Sequence, residues 1–294
     1  MTRAADEGDR AQAKRLRLAT ELRHLRDLAG LSGRELAQQI GISQSKVSRI
    51  ESGRTVPSLP EVDGWARATG ASDDRREWLV AMTDAVFTEV RPFRAAVGPD
   101  SQMQTEIQDR EQCARLIRTF QPSVVPGLLQ TADYARRVYS LAQPTPDHPV
   151  APAVAARMDR QVLLYKEDRR FEFLITEPAL RWRPVAVSSM LAQLDRLVAV
   201  STLDNVLIGV VPHGQQAMAP APHAFIVYAE NDGDLDDLVE VETLHANLIV
   251  NDLDDVAIYQ QKWSMLCGSA IFGSEFRAFV TALSAELRKT VDND

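Results

Sequence analysis

The chain has 294 residues, enough for two domains with cores of their own, and its 45% hydrophobic and 25% charged content is that of a globular protein. No apolar run approaches the roughly eighteen residues a membrane span needs, which argues against an integral membrane protein. The net charge of −8 argues against a uniformly basic coat, yet between Arg10 and Arg54 ten Lys/Arg face four Asp/Glu, a local +6, while residues 91–294 carry −8.

The N-terminal MTRAADEGDRAQAKRLRLATEL is charged and has no apolar signal region, so the expected location is cytoplasmic, on the nucleoid when DNA is bound. Helix one is expected through LRLATELRHLRDLAG, with Leu18, Leu22, Leu25 and Leu28 or Ala29 on one face and Gly30 as its stop. Ser32 and Glu35 form a capping box that opens a second helix carrying Leu36, Ala37 and Ile40 inward. Gly41 allows the tight turn. Ser43 caps a third helix, SQSKVSRIESG, with Val47 and Ile50 inward and Gly53 at its end. Ser58 and Glu61 form a second capping box, opening a helix with Val62, Trp65, Ala66 and Thr69 inside. A fifth helix, ASDDRREWLVAMTDAVF, has Trp78, Leu79, Met82 and Val86 as its apolar side.

A small residue at 37, a glycine at 41 and apolar Ile42, Val47 and Ile50 are what two helices crossing over a short turn require. Here LRHLRDLAGLSGRELAQQIGISQSKVSRIESGRTVPSLPEV resembles the XRE family, the lambda-repressor and Cro-like helix-turn-helix proteins. That resemblance implies that GISQSKVSRIE lies in the DNA major groove, and that Glu51 pairs with Arg26 as a structural brace. With Val47 and Ile50 inward, helical spacing puts Ser45, Ser48, Arg49 and Ser52 on the opposite face, flanked by Gln44 and Lys46. Gln44 suits adenine and Arg49 guanine through bidentate bonds, each worth about 1–3 kcal/mol of discrimination. Lys46 and Arg54, and Arg34 at the start of helix two, suit phosphates. The candidate DNA-binding residues are therefore Arg34, Ser43, Gln44, Ser45, Lys46, Ser48, Arg49 and Arg54.

RPFRAAVGPDSQ breaks the periodicity, which places a helix-turn-helix domain at 11–90, a linker at 91–103 and a second domain at 104–291. In the second domain MQTEIQDREQCARLIRTF reads as a helix, a short helix follows around Tyr134 and Val138, and another runs from about Val150 to Lys166. FEFLIT, NVLIGVV, AFIVYAE and LVEVETLHANLIV read as strands, with ENDGDLDD as a polar connection. Two helices, about Asp252–Ile271 and Ser274–Val291, close the chain. The expected fold is a five-helix, all-α, lambda-repressor-like domain followed by an α+β domain with a small antiparallel sheet.

RLIRTFQPSVVPGLLQTADYARRV, ARMDRQVLL, ITEPALR and SEFRAFVTAL resemble a domain that follows XRE helix-turn-helices in actinobacterial, WhiJ-like or antitoxin-like regulators. The resemblance implies control by a small protein encoded nearby and carries no catalytic residues. In PSVVPGLLQTADYARRVY, Val124, Val125, Leu128, Leu129, Tyr134 and Arg137 either line a groove for such a partner or pack a helix onto the sheet.

Little else here suggests chemistry. Cys113 and Cys267 stand apart with no C-x-x-C spacing, and His213, His223 and His245 have no zinc-ligand spacing. Asp232, Asp234 and Asp236 alternate, but the glycine among them is misplaced for a calcium loop. No nucleophile elbow, phosphate-cradling glycine loop or dinucleotide fingerprint is present, so no catalytic residue, metal or cofactor is expected. The leading expectation is a sequence-specific transcriptional regulator, homodimeric because one recognition helix covers few base pairs, whose second domain binds a small protein. A small-molecule sensor is the first alternative, and an enzyme delivered to DNA the second.

Overall fold

The computed structural model describes residues 3–92, 110–111, 114–142, 150–214, 216–231, 237–243 and 246–291. Cys113, Asp232, Asp234, Asp236, His245 and most of the expected linker lie outside them. The chain divides into two compact units, Met1–Ala114 with Val227–Tyr259, and Arg115–Ile226 with Gln260–Asp294.

The first unit begins with α1 (Arg3–Leu28), α2 (Gly33–Ile40), α3 (Gln44–Glu51), α4 (Leu59–Ala68) and α5 (Asp73–Phe87). Their apolar stripes meet in one core built around Leu18, Leu22, Leu36, Val47, Ile50, Val62, Trp65 and Leu79. Trp65 is fully buried and its indole N–H donates to the Leu22 carbonyl at 2.9 Å, so its one polar atom is satisfied inside the core. Burying side chains of this size stabilises by about 1.5–3 kcal/mol each. The stripe of α1 stops at Leu25. Leu28 is 71% exposed, because the helix ends there and Gly30 turns the chain in the left-handed region at φ 69°. The Val86 side chain lies outside the described ones.

Strand β1 (Thr88–Pro92) follows α5 without a break and takes in Arg91 and Pro92, the first residues of the expected linker, where no strand is expected from the sequence. It pairs antiparallel with β7 (Ala246–Val250), Thr88 opposite Val250, and β7 pairs antiparallel with β6 (Leu238–Glu242). Beside β6 runs β5 (Phe225–Asn231). Buried Glu240 on β6 accepts from Arg110 and the Tyr228 hydroxyl on Oε2 and from the Asn247 amide on Oε1. A carboxylate out of water requires such donors.

The second unit is built on β2 (Ala114–Gln121), β3 (Arg170–Thr176) and β4 (Val206–Val211), with the short β8 (Ile271–Phe272) antiparallel to β4. β2 pairs parallel with β3 and β3 parallel with β4, with Phe171 opposite both Ile117 and Val206. Between β2 and β3 run a 3-10 turn (Gly127–Leu129), α6 (Ala132–Ala142), α7 (Val150–Arg160) and a second 3-10 stretch (Gln161–Tyr165). α8 (Glu177–Arg181) and α9 (Val187–Val200) connect β3 to β4, and α10 (Leu253–Cys267) and α11 (Gly273–Val291) close the chain.

These pairings correct the expected small antiparallel sheet. Residues 104–291 hold seven strands among the described residues, with β2, β3 and β4 in parallel pairs and β4 with β8 and β6 with β7 in antiparallel ones. The physical reason lies in β3 and β4. Phe171, Phe173 and Ile175 bury one face of β3 while Leu174 buries the other, so the strand reads as a nearly continuous apolar run. Such runs mark strands covered on both faces, which is where parallel pairing occurs. Parallel neighbours need a long crossover; α8 and α9 supply one across residues 177–200, and α9 is not among the helices expected from the sequence. The expected helix over 103–120 is also corrected, because ARLIRTFQ is β2. Leu116, Ile117 and Phe120 fit a helical stripe and a doubly buried strand equally well, and pairing with β3 decides.

Candidate nucleic-acid interface

The recognition element is set up by caps at its start and by a glycine turn. Ser32 and Glu35 satisfy each other's backbone N–H groups, Ser32 N–H to Glu35 Oε2 at 2.8 Å and Glu35 N–H to Ser32 Oγ at 3.2 Å. These hydrogen bonds, the one from the Ser32 backbone first, hold the Glu35 carboxyl below its ordinary pKa. Gly41 then takes φ 75°, and its N–H and that of Ile42 both return to the Ala37 carbonyl, closing α2. Ser43 caps α3, its Oγ accepting the Lys46 N–H at 3.1 Å. Val47 and Ile50 are each 1% exposed, which fixes the rotation of α3 about its axis.

The outward side of α3 carries exposed Gln44, Ser45 and Ser48. Arg49 is half-buried, with Nη1 donating to Ser45 Oγ at 3.3 Å, so its guanidinium lies back along the same face. Arg34 and Arg54 are exposed on either side of the element, at the start of α2 and after α3. Ser43 is committed to the cap, and its Oγ also lies 3.2 Å from that of Ser45. Lys46 is placed differently from the other cations: its Nζ is 2.9 Å from Glu61 Oε1, and both side chains are only 12% exposed. The pair joins α3 to α4. It had no local signal in the sequence, since its partners come from separate helices.

At the other end of α3, Glu51 receives Arg26 Nε at 2.5 Å and Nη2 at 2.9 Å, while Arg26 Nη1 donates to the Leu31 carbonyl at 2.8 Å. The hydrogen bond to Glu51 raises the Arg26 pKa above its ordinary value. The brace implied by the family resemblance is thus formed, with the fork geometry suited to a carboxylate.

In the second unit, Val125, Leu128, Leu129 and Tyr134 are buried, Val124 is half-buried, and Arg137 is exposed with its Nε donating to the Pro184 carbonyl at 3.1 Å. Burial pushes the Tyr134 hydroxyl pKa up to about 12. Four of the six candidate partner contacts therefore pack the domain. The irregular backbone around them is satisfied by three glutamines. Gln130 donates to the Val125 carbonyl at 2.7 Å, Gln161 donates to the Gln130 carbonyl at 2.6 Å, and Gln193 bridges the Thr131 N–H and the Leu129 carbonyl. Arg157 donates to Gln130 Oε1 at 2.7 Å and lies 4.2 Å from the Tyr139 ring centroid. A Cβ at Gly127 would come within 3.3 Å of Arg157 Nε, so only glycine leaves that guanidinium its full space.

A cleft of about 180 Å³ lies in this unit, lined by Leu180, Met190, Leu194, Leu283 and Leu287 together with Arg181, Arg183 and Glu286. Arg181 is held between Glu177 and Glu286 at 2.6 and 2.8 Å. Among the described residues no group of three or more His, Cys, Asp or Glu is placed to hold a metal ion. Also among them, no helix is long and apolar enough to cross a membrane. Cys267 is half-buried, and burial raises its thiol pKa.

Residues 17–79 match the model of a helix-turn-helix domain, in agreement with the XRE-like reading of α1–α5. Residues 104–282 match the model described as a domain of unknown function, DUF5753. No curated protein and no solved structure matches the chain.

Proposed function

This chain belongs to the DUF5753 family and carries its domain behind a helix-turn-helix, and from that premise we propose a sequence-specific transcriptional regulator controlled through the second domain by a small protein. The observation that carries the DNA-reading part is the orientation of α3. Val47 and Ile50 lock one face into the core, and Gln44, Ser45 and Ser48 stand exposed on the other, with Arg49 laid along it. An exposed polar face on a rigidly capped helix suits base edges, and Arg34 and Arg54 on its flanks suit phosphates. The local +6 between Arg10 and Arg54 favours the same surface. We infer a homodimer on DNA, since two recognition helices double the base contacts.

Partner control is supported by the family resemblance of the second region and by its exposed apolar side chains, among them Val162 and Tyr165 at 62% and 57%. A small-molecule sensor is the second reading, and the apolar cleft lined in part by Arg181 and Arg183 favours it for a small ligand, since its volume of about 180 Å³ is below the roughly 300 Å³ at which drug-sized ligand pockets begin. The test is release of a fluorescent duplex from the full chain on titration with each small protein encoded beside its gene. Release by one of them at stoichiometric concentration supports partner control. No release by any of them, together with release by small molecules, supports the sensor.

A further inference from the structure

Two ion pairs hold α3, one at each end, and each places its charge against the helix dipole. Lys46 puts a cation in the first turn and Glu51 an anion in the last, where the opposite signs are favoured. Neither charge stabilises the helix on its own. Each is matched by a partner from another helix, Glu61 of α4 and Arg26 of α1. The Arg26 pair is the one the XRE resemblance implies; the Lys46 pair is read from the structure alone.

Glu61 is bound on both oxygens. Oε2 accepts the Ser58 N–H at 2.8 Å and closes the capping box of α4, and Oε1 takes the Lys46 ammonium at 2.9 Å. Ser58 Oγ accepts the Glu61 N–H at 3.4 Å, so the carboxylate is fixed by the start of its own helix. A rigid acceptor therefore faces the first turn of the recognition helix, one residue from exposed Ser45 and two from exposed Gln44.

We propose that Glu61 is a positioning residue for DNA reading: it holds Lys46, fixes the start of α3 against α4, and keeps the Lys46 ammonium out of the set of phosphate contacts. This rests on the reading of α3 as the DNA-reading helix. The clamp sets where Gln44 and Ser45 present themselves, so its loss lowers discrimination between duplexes more than affinity for DNA in general.

The test uses the full chain and a duplex that it enriches from a randomised pool, with a scrambled duplex as control. Glu61→Gln is the informative variant, because glutamine keeps the capping box while the charge is removed. Lys46→Met removes the other partner without a helix breaker. The expected result is that each variant lowers the enriched-to-scrambled affinity ratio roughly tenfold, and that the double variant is no worse than the poorer single one. The salt slope of Lys46→Met stays at the wild-type value. A purely structural role would lower the unfolding midpoint and leave the ratio unmoved, which would overturn the proposal. A Lys46→Met slope reduced by about 0.9, with both duplexes weakened alike, would make Lys46 a phosphate ligand and overturn it too. If the wild type enriches no duplex at all, the DNA-reading function itself falls and the clamp's role with it.

Discussion

Arg26 and Glu51, twenty-five positions apart, meet through two parallel contacts, Nε on Oε1 and Nη2 on Oε2, with both side chains about 12–13% exposed. The third guanidinium nitrogen caps the Leu31 carbonyl, so one side chain ties α1 to the end of α3 and to the turn that precedes α2. Removing the cation leaves a largely buried carboxylate without its fork.

Arg26→Met is therefore expected to destabilise the helix-turn-helix by about 3 kcal/mol, seen as a lower thermal unfolding midpoint. Replacing Arg26 and Glu51 together by methionine should cost less than the sum of the single changes. A strictly additive pair would show that the contact contributes nothing of its own.

The capping box at Ser32 gives a pH dependence with a definite sign. The Glu35 carboxyl has a lower pKa folded than unfolded, so its contribution is present above the unfolded value and is lost as the pH falls through the folded one. Below about pH 4 the wild-type midpoint should fall more steeply than that of Glu35→Gln, which keeps the cap but does not titrate. Parallel curves would remove Glu35 from the acid response.

In the second unit β8 packs closely on β4. A Cβ at Gly209 would lie 2.4 Å from the Phe272 ring, so the ring covers bare backbone. Gly209→Ala should destabilise by about 1–3 kcal/mol, and Phe272→Leu in the same chain should recover part of that loss. Equal stability of Gly209→Ala and wild type in urea unfolding would contradict this packing.

Gln130 is 2% exposed and satisfies both the Val125 carbonyl and the Arg157 guanidinium. Gln130→Leu keeps the volume and leaves those groups buried without it. A loss of about 2–3 kcal/mol is expected, read as a shift in the urea midpoint with unchanged slope.

The helix-turn-helix was legible because its signals are local. Ser32 with Glu35, Ser58 with Glu61, glycines at 30, 41 and 53, and a 3.6-residue stripe each act within a few positions. The Lys46–Glu61 pair was not legible, since nothing in either helix announces the other. The strands of residues 170–250 are readable as strands, but the parallel direction of β3 and β4 is not, because it depends on a crossover whose α9 starts without a side-chain cap. The glutamines at 130, 161 and 193 look like surface residues by composition. Only the irregular backbone of residues 125–131, folded inward, explains why they are buried.

The most direct test of the central claim is fluorescence anisotropy of the full chain on a self-enriched duplex and on a scrambled one, in salt steps, for wild type and Arg49→Ala. Tight, salt-sensitive binding of the enriched duplex is expected, weakened roughly tenfold or more in the variant, with little change on the scrambled duplex. Equal binding of both duplexes by the wild type, or an Arg49→Ala variant that discriminates as well as the parent, would contradict α3 as the reader.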